Sequence, residues 1–214
     1  AKRNKAFEES RWIGLAIDGT GAGRSREERC DECRATRNKK KEIIGYRHHV
    51  VMVSVVGTRL ALPFDVEPYG PGDSEYSAGQ RLLRRAMKNL GRRFADYAVV
   101  DGEFATAPFV HTVGDEGLKV VARLKGNLPE LYEAAQRRFT SKSPDQKFRD
   151  GPDMVEIWDA DDFDPWTSLR WETVRVVFYR QHKPDGKIVE AYWLTDFTKS
   201  EAGSQAIYRM AKSR

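Results

Sequence analysis

The sequence has few cysteines and no long hydrophobic run. Its two cysteines, among 214 residues, stand close together in CDEC, which does not suggest a disulfide framework. No apolar stretch approaches the ~20 residues that a membrane-spanning helix requires, and no signal-peptide pattern opens the chain. These patterns favour a cytoplasmic protein that does not associate with membranes.

The composition is typical of one globular domain with room for an insertion. Hydrophobic residues make up 40% of the chain and aromatic residues 11%, which favours a folded core over disorder. The 37 Lys and Arg against 32 Asp and Glu give a net charge of +5. Because this excess is modest, the clustering of basic residues says more about binding partners than the total does.

Hydrophobic periodicity predicts a mixed sheet with helices packed on it. WIGLAID predicts a buried strand that ends at Asp18, with GTGAG as the turn after it. Two β-branched runs follow, separated by Gly57-Thr58 as a hairpin signal, and helical spacing covers residues 75–94. YAVVDGEF repeats the opening pattern, with a short strand that ends at Asp101. Beyond it we predict a helix over residues 107–113, a strand, a helix from residue 127, a loop over residues 140–153, antiparallel strands after this loop and a last helix from about residue 200.

Three kinds of site share the pattern of an apolar strand, an aspartate and glycines. A dinucleotide-binding loop needs glycine where Arg24 stands, and the chain contains no G-K-[ST] phosphate loop. DGT resembles the haloacid dehalogenase signature, but the nucleophilic aspartate of that family would stand two residues before Asp18, where this chain has Ala16. The third kind is the metal-binding acid of a nuclease with the RNase H shape.

Asp18 and Asp101 match each other, and the pair fits the third kind of site. In an RNase H shape, two neighbouring strands each carry one acid to a shared edge, where two divalent ions ~3.5–4 Å apart are held. Carboxylate oxygens are the ligands that Mg²⁺ prefers. Alternatively, each aspartate only closes a turn or caps a helix, which explains either one alone better than it explains the matched pair.

The order of the motifs resembles the DDE transposases of bacterial insertion sequences, over essentially the whole chain. AIDGTG corresponds to the first acid, with CDEC and YRHHV behind it, and YGPGDSEYSAGQRLLRRA to the helix before the second. YAVVDGEF carries the second acid, VARLKGN the next strand, and WLTDF with AIYRMAKSR the approach to the third. The resemblance implies an RNase H-like mixed sheet flanked by helices, with an antiparallel β-rich insert before the last helix. Residues 1–139 would be the first part of the catalytic core, residues 140–190 the insert, and residues 191–214 the return strand and the start of the C-terminal catalytic helix.

The same resemblance implies an enzyme that cuts and joins DNA. Asp18 and Asp101 would hold Mg²⁺ or Mn²⁺ for phosphodiester cleavage and strand transfer. The partners would be duplex DNA, at the transposon ends and the target, and a second copy of the chain in a full-length synaptic homodimer. The location would be the bacterial nucleoid.

The third acid of this family is a glutamate in a Y-(2)-R-(3)-E-(6)-K signature near the C-terminus. Arg214 fits the signature arginine, although the tyrosine position is Ala211 and Tyr208 stands one turn early. The glutamate is then expected beyond Arg214, so this chain is expected to be inactive alone. Two alternatives stay open, namely a non-catalytic DNA-binding remnant and a structure-specific RNase H-like nuclease. No convincing substitute for the glutamate stands among Glu190, Asp196 and Glu201.

Two basic clusters are candidates for binding phosphates. One lies on the helix before Asp101, opposite its leucines, where arginine forks suit phosphates and each neutralised phosphate releases counterions. A solvated basic face explains the same helix equally well. The other cluster is the loop RSREERCDECRATRNKKK, which lies beside Asp18 in sequence. The predicted DNA-binding residues are Arg24, Arg26, Arg81, Arg84, Arg85, Lys88, Lys125 and Arg214.

CDEC followed by HH could supply a zinc site. Cys30, Cys33 and His48 have the spacing of a knuckle closed by a strand, with thiolate and imidazole ligands. Adjacent residues on a strand face opposite ways, so only one of His48 and His49 joins easily. Polar residues without a metal are the default interpretation of the same cluster. A fourth ligand would come from Asp31, Glu32, His111 or water.

Overall fold

The computed structural model describes residues 12–28, 30–57 and 61–214. This part of the chain forms an α/β fold of ten strands and four α-helices. The strands are β1 (Gly14–Ser25), β2 (Arg34–Arg37), β3 (Ile43–Val56), β4 (Leu62–Tyr69), β5 (Tyr97–Val100), β6 (Lys119–Leu124), β7 (Gln146–Asp150), β8 (Asp153–Phe163), β9 (Val174–His182) and β10 (Ile188–Thr195). The helices are α1 (Glu75–Leu90), α2 (Ala107–Asp115), α3 (Pro129–Thr140) and α4 (Ser204–Lys212), with a 3₁₀ turn at Gly102–Phe104. Each of these helices is too short or too polar to cross a membrane.

All ten strands belong to one mixed sheet. Its order is β2-β3-β1-β5-β6-β10-β9-β8-β7, and β4 also pairs with β3. β1, β3 and β4 are antiparallel neighbours, whereas β5 and β6 continue in parallel on the other side of β1. The order β4-β3-β1-β5-β6 with these directions is the sheet of an RNase H-like fold, and it confirms the predicted fold class.

The β-rich segment before α4 extends this same sheet. β10 pairs antiparallel with β6, and β9, β8 and β7 follow as antiparallel neighbours. β7 lies in a stretch that the sequence predicts to be a loop, and β2 is a second strand that the sequence does not predict. The antiparallel strands expected before the last helix are therefore present, and they are hydrogen-bonded to the core sheet.

β1 does not end at Asp18, so the predicted turn at GTGAG was wrong. The parallel pairing with β5 stops at Ile17, but the antiparallel ladder with β3 continues to Ala22 and its partner His48. β3 is 14 residues long and supplies hydrogen-bond partners for the glycine-rich half of β1. Long-range pairing has overridden the local preference of the glycines for a turn.

β3 and β4 pair antiparallel, in agreement with the hairpin signal. Gly57 adopts φ of 83°, a left-handed conformation that favours glycine. Thr58, the other residue of the predicted turn, lies outside the described residues, as do positions 59 and 60. Among the described residues β3 is the strand partner of β4, so β4 lies at an edge of the sheet.

Helix α1 begins and ends for local reasons. Ser74 caps its N-terminus by accepting a hydrogen bond from the Ser77 N–H. The helix stops at Leu90, before the predicted end at residue 94, because Gly91 takes φ of 86°. Its buried side is the predicted apolar face, Leu82, Leu83, Ala86 and Met87, with Leu90 partly buried against the same core.

Two hydrophobic cores lie on the two faces of the sheet. Helices α1, α2 and α3 cover one face, where Leu15 and Val100 are buried. Helix α4 covers the other face and packs over Val99. Because side chains alternate along a strand, Asp18 and Asp101 come on the α4 face.

A buried ion pair fixes the approach to α4. Arg175 in β9 and Asp159 in β8 have side chains only 3% and 5% exposed, and Nη2 of the arginine lies 2.5 Å from Oδ2 of the aspartate. Nη1 of Arg175 donates to the carbonyls of Phe197 and Ala202 at 3.1 and 2.7 Å. Ser204 donates its hydroxyl proton to Asp159. These bonds tie the segment between β10 and α4 to the sheet.

Candidate active site

Asp18 and Asp101 lie side by side on one face of the sheet. The parallel pairing of β1 and β5 ends at Ile17 and its partner Val100, and each aspartate is the next residue. The Asp18 side chain is 53% exposed and the Asp101 side chain 23%. The structure therefore brings the two predicted acids together, although Asp18 lies within a strand and not at its end.

Arg214 joins the two carboxylates. Its Nη2 lies 2.8 Å from Oδ1 of Asp18 and 3.4 Å from Oδ2 of Asp101. Since one nitrogen contacts both oxygens, the two carboxylates face the same space. Arg214 is one of the residues predicted to bind DNA, and in the structure its positive charge points at the two acids.

Backbone and side-chain donors fix the Asp101 carboxylate. Its Oδ1 accepts a hydrogen bond from the Gly102 N–H at 2.5 Å, and it lies 2.6 Å from Nζ of Lys125. Asn127 donates from Nδ2 to the Gly102 carbonyl at 2.8 Å. Gly102 is therefore held through both its N–H and its carbonyl, which helps to orient the Asp101 carboxylate.

The surrounding charges keep Asp101 ionised. Partial burial raises the pKa of this carboxyl, but the hydrogen bonds from Lys125 and the Gly102 N–H, with the charges of Arg214 and Lys125, more than reverse this effect. The pKa of Asp101 therefore lies below its ordinary value. An ionised carboxylate is the form that binds a divalent cation.

The other acids considered from the sequence do not join this pair. Glu190 contacts Nε of Arg180 at 2.6 Å, Asp196 accepts a hydrogen bond from a backbone N–H of β6, and Glu201 accepts one from the Thr198 hydroxyl. Within residues 12–28, 30–57 and 61–214, the Asp18–Asp101 pair does not belong to a group of three acids tight enough to hold one ion.

Two of the α1 arginines predicted to bind DNA are paired with acids. Arg81 lies 2.7 Å from Glu67 and 2.6 Å from Asp73, and Arg85 lies 2.7 Å from Asp65 and 2.5 Å from Glu67. These ion pairs clamp α1 to β4 on the face of the sheet away from the acid pair. The structure therefore gives both arginines a structural contact, and their charge is matched in the folded protein.

The remaining basic residues of α1 lie on the same side of the sheet. Arg84 donates to the Thr112 hydroxyl oxygen at 3.1 Å, and Lys88 is exposed in the last turn. Of the eight predicted DNA-binding residues, the structure brings Lys125 and Arg214 into contact with the acid pair.

Arg24 and Arg26 lie in a third place, near the end of β1. Together with Arg47 they line an open cavity of about 550 Å³, which Cys33 and His48 also line. Three arginines around one cavity form a basic surface suited to phosphate oxygens.

The Cys and His cluster also comes together. The Sγ atoms of Cys30 and Cys33 are 3.7 Å apart, and Nε2 of His48 lies 3.0 and 3.3 Å from them. As strand alternation requires, His49 faces the other way and packs on Tyr69, with ring centroids 5.6 Å apart. Two predicted further ligands lie elsewhere. Glu32 lies against Gly70, and His111 is in α2, where its buried Nε2 has no hydrogen-bond partner among the described residues.

Sequence reasoning missed two features close to the acids, one beside Asp101 and one on the opposite face of the sheet at Gly19. One is Asn127, which stands in the string VARLKGN without any sign in the sequence that it bonds the Gly102 peptide. The other is Glu75, which accepts a hydrogen bond from the Tyr69 hydroxyl at 2.9 Å and occupies the space that a side chain at position 19 would need. Glycine next to Asp18 is the signal that could have indicated this close approach.

No protein-family model and no curated protein matches this chain. Among solved structures, it is similar to one described as the cryo-EM structure of a piggyBac transposase synaptic complex with hairpin DNA. The two are 17% identical, with a TM-score of 0.47 over 94% of this chain. The chain spans 37% of the length of that transposase chain. The likeness concerns the course of the backbone alone.

Proposed function

We propose that this chain is the catalytic domain of a DDE-type DNA transposase, which cuts and joins phosphodiester bonds with Asp18 and Asp101. The observation that carries the proposal is the position of the two acids, each directly after one of two paired residues in neighbouring parallel strands of an RNase H-like sheet. The order of the sequence motifs supports the insertion-sequence branch with the Y-R-E-K signature. Two copies would hold the two transposon ends in the synaptic complex.

The donor atoms of the acid pair suit Mg²⁺ or Mn²⁺. Both are carboxylate oxygens, which hard divalent cations prefer. Bound by Asp18 and Asp101, such ions would activate the attacking oxygen and stabilise the leaving oxygen of the phosphodiester. The Gly102 N–H and Lys125 keep the Asp101 carboxylate ionised and oriented for this role.

Lys125 and Arg214 would meet the DNA backbone. Each contacts a carboxylate oxygen of the acid pair, and a phosphate that enters the site offers them oxygens of the same kind. The residues that follow α4 bring Arg214 against both aspartates.

A second candidate function is DNA binding without cleavage. Its support is that Lys125 and Arg214 already match the charge of the two acids. A structure-specific nuclease would use the same acids as a transposase and would differ in its products.

Binding of Mn²⁺ tests the proposed metal site without any knowledge of the DNA sequence. Titrations followed by electron paramagnetic resonance should show a site in the wild type that Asp18→Asn and Asp101→Asn both lose. Glu103→Gln removes a charge from an exposed residue close to Asp101 and is the matched control. Equal Mn²⁺ binding by all four proteins would contradict the proposal.

The products formed from a transposon-end duplex distinguish the three functions. The full-length protein, with Mg²⁺ or Mn²⁺, should yield joined strands if it is a transposase. Hydrolysed strands without joining indicate a nuclease, and a bound but intact duplex indicates a DNA-binding protein.

A further inference from the structure

We propose that Cys30, Cys33 and His48 form a zinc site that fastens the segment between β1 and β2 to β3. The site is separate from the acid pair. His48 pairs with Ala22 in the β1–β3 ladder. Ala22 stands four residues after Asp18 in β1, a distance of ~13 Å along the strand. The proposal does not depend on transposase activity.

The geometry of the three donors is close to that of a tetrahedral zinc centre. Zn–S bonds of ~2.3 Å and Zn–N bonds of ~2.0 Å at tetrahedral angles put two sulfurs ~3.8 Å apart and a sulfur and a nitrogen ~3.5 Å apart. The Sγ–Sγ distance is 3.7 Å, and the two Sγ–Nε2 distances are 3.0 and 3.3 Å. An outward movement of the imidazole by about half an ångström would complete the fit.

The chemistry of the donor set favours zinc over the other uses of a Cys-x-x-Cys pair. Two thiolates and one imidazole are a zinc donor set, and one tetrahedral position is left for a further ligand. A disulfide would need the sulfurs at ~2.05 Å. A redox Cys-x-x-Cys motif usually lies near a βαβ unit, whereas this pair lies in a turn between two strands, closed by a hydrogen bond from the Cys33 N–H to the Cys30 carbonyl at 3.0 Å.

The local fold gives the metal a structural task. β2 has the sequence RATR, and none of its four residues is buried. So short and polar a strand gains little from hydrophobic burial, and a metal that joins Cys33, directly before β2, to His48 in β3 would supply the missing stability. The same metal would fix the wall of the cavity that Arg24 and Arg26 line.

In the described ranges, these are the one group of three or more His, Cys, Asp or Glu residues whose ligand atoms all lie within 4.8 Å of one another. Cys30 and His48 are exposed, so their replacement tests metal binding without disturbing the core. His49 is the matched control, since it is the adjacent residue and faces Tyr69 on the other side of the strand.

Zinc content and Co²⁺ spectra test the proposal directly. The wild-type chain and His49→Gln, folded with zinc and dialysed, should each retain one zinc per chain, and Co²⁺ should give the intense absorption of a tetrahedral thiolate site. Cys30→Ser and His48→Gln should lose both signals. Zinc retained equally by all four proteins, zinc absent from the wild type, or a Cys30–Cys33 disulfide in the mass spectrum would each overturn the proposal.

Limited proteolysis with trypsin gives a second readout that does not depend on spectroscopy. Removal of zinc by a chelator should speed cleavage after Arg24 and Arg26 in the wild type and in His49→Gln. The same treatment should leave the cleavage rate of His48→Gln unchanged, because this variant has no zinc to lose. Equal acceleration in all three proteins would overturn the structural role.

Discussion

Ile17 and Val100 are register partners in two parallel strands, and the residue after each is an aspartate. The backbone register therefore sets the distance between the two acids, whereas side-chain packing sets their direction. A slip of one residue in this register would move one acid to the α1 face, away from Arg214. The candidate site is thus as rigid as the central strands that carry it.

We expect Asp101 to contribute stability that is lost in acid. Burial raises the pKa of this carboxyl, but Lys125, the Gly102 N–H and Arg214 lower it further, so the folded-state pKa is depressed. The contribution is fully present above the unfolded pKa of about 3.9 and disappears as the pH falls through the lower folded pKa. Urea unfolding at a series of pH values should show a shallower acid loss for Asp101→Asn, and equal slopes would contradict this assignment.

Removal of one partner of the buried Arg175–Asp159 pair should strongly destabilise the protein. Arg175→Met leaves Asp159 charged and buried and removes the donors to two backbone carbonyls, so we expect a loss of about 3–5 kcal/mol in the free energy of unfolding. The exposed pair Lys199–Asp161 is the control, and Lys199→Met should cost about 0–1 kcal/mol. Chemical denaturation measures both, and similar small losses would show that the buried pair tolerates disruption.

Gly14 should not tolerate a side chain. A Cβ at this position would overlap the ring of Tyr97, which is 1% exposed and donates or accepts a hydrogen bond with Ser213 at 3.1 Å. Gly14→Ala should therefore lower the free energy of unfolding by about 1–3 kcal/mol through overpacking. Gly114→Ala, in the open space around α2, should be neutral or stabilise by up to about 1 kcal/mol. Thermal unfolding measures both effects, and melting temperatures lowered equally in the two variants would contradict the prediction.

The two basic clusters should respond differently when DNA binding is measured. Arg24→Ala with Arg26→Ala removes two positive charges from the lining of the cavity, so the slope of log affinity against log salt should fall by about 0.9 for each lost phosphate contact. Arg85→Ala breaks ion pairs with Asp65 and Glu67, so it should lower stability and change the salt slope little. Fluorescence anisotropy with a duplex at several salt concentrations separates the cases. A larger change in salt slope for Arg85→Ala than for the Arg24 and Arg26 variant would indicate that α1 binds DNA.

The sequence could predict those features that depend on local signals. Leu82, Leu83, Ala86 and Met87 repeat at helical spacing, and a single helix face follows from that alone. The acids Asp18 and Asp101 each follow a short apolar run, and parallel strands bring such positions together. The signals themselves are local, although the meeting of the two acids also requires β1 and β5 to pair.

Long-range pairing explains what the sequence could not predict. GTGAG has the local chemistry of a turn, and only the ladder with β3 keeps it extended. The sequence of the basic face of α1 is the same whether its partner is a phosphate or a carboxylate. Asp65 and Glu67 lie beside Arg85 only because β4 packs there. The contacts of Arg214 with both acids likewise depend on how α4 crosses the sheet.

β4 exposes Leu62, Phe64 and Val66 at an edge of the sheet, where free backbone groups can template pairing with another chain. Two residues of the same strand, Pro63 and Pro68, have no N–H to donate, and a register shift interrupts the ladder between them. An incoming strand would meet a broken row of donors. This edge is therefore a poor template for fibril growth in spite of its apolar side chains.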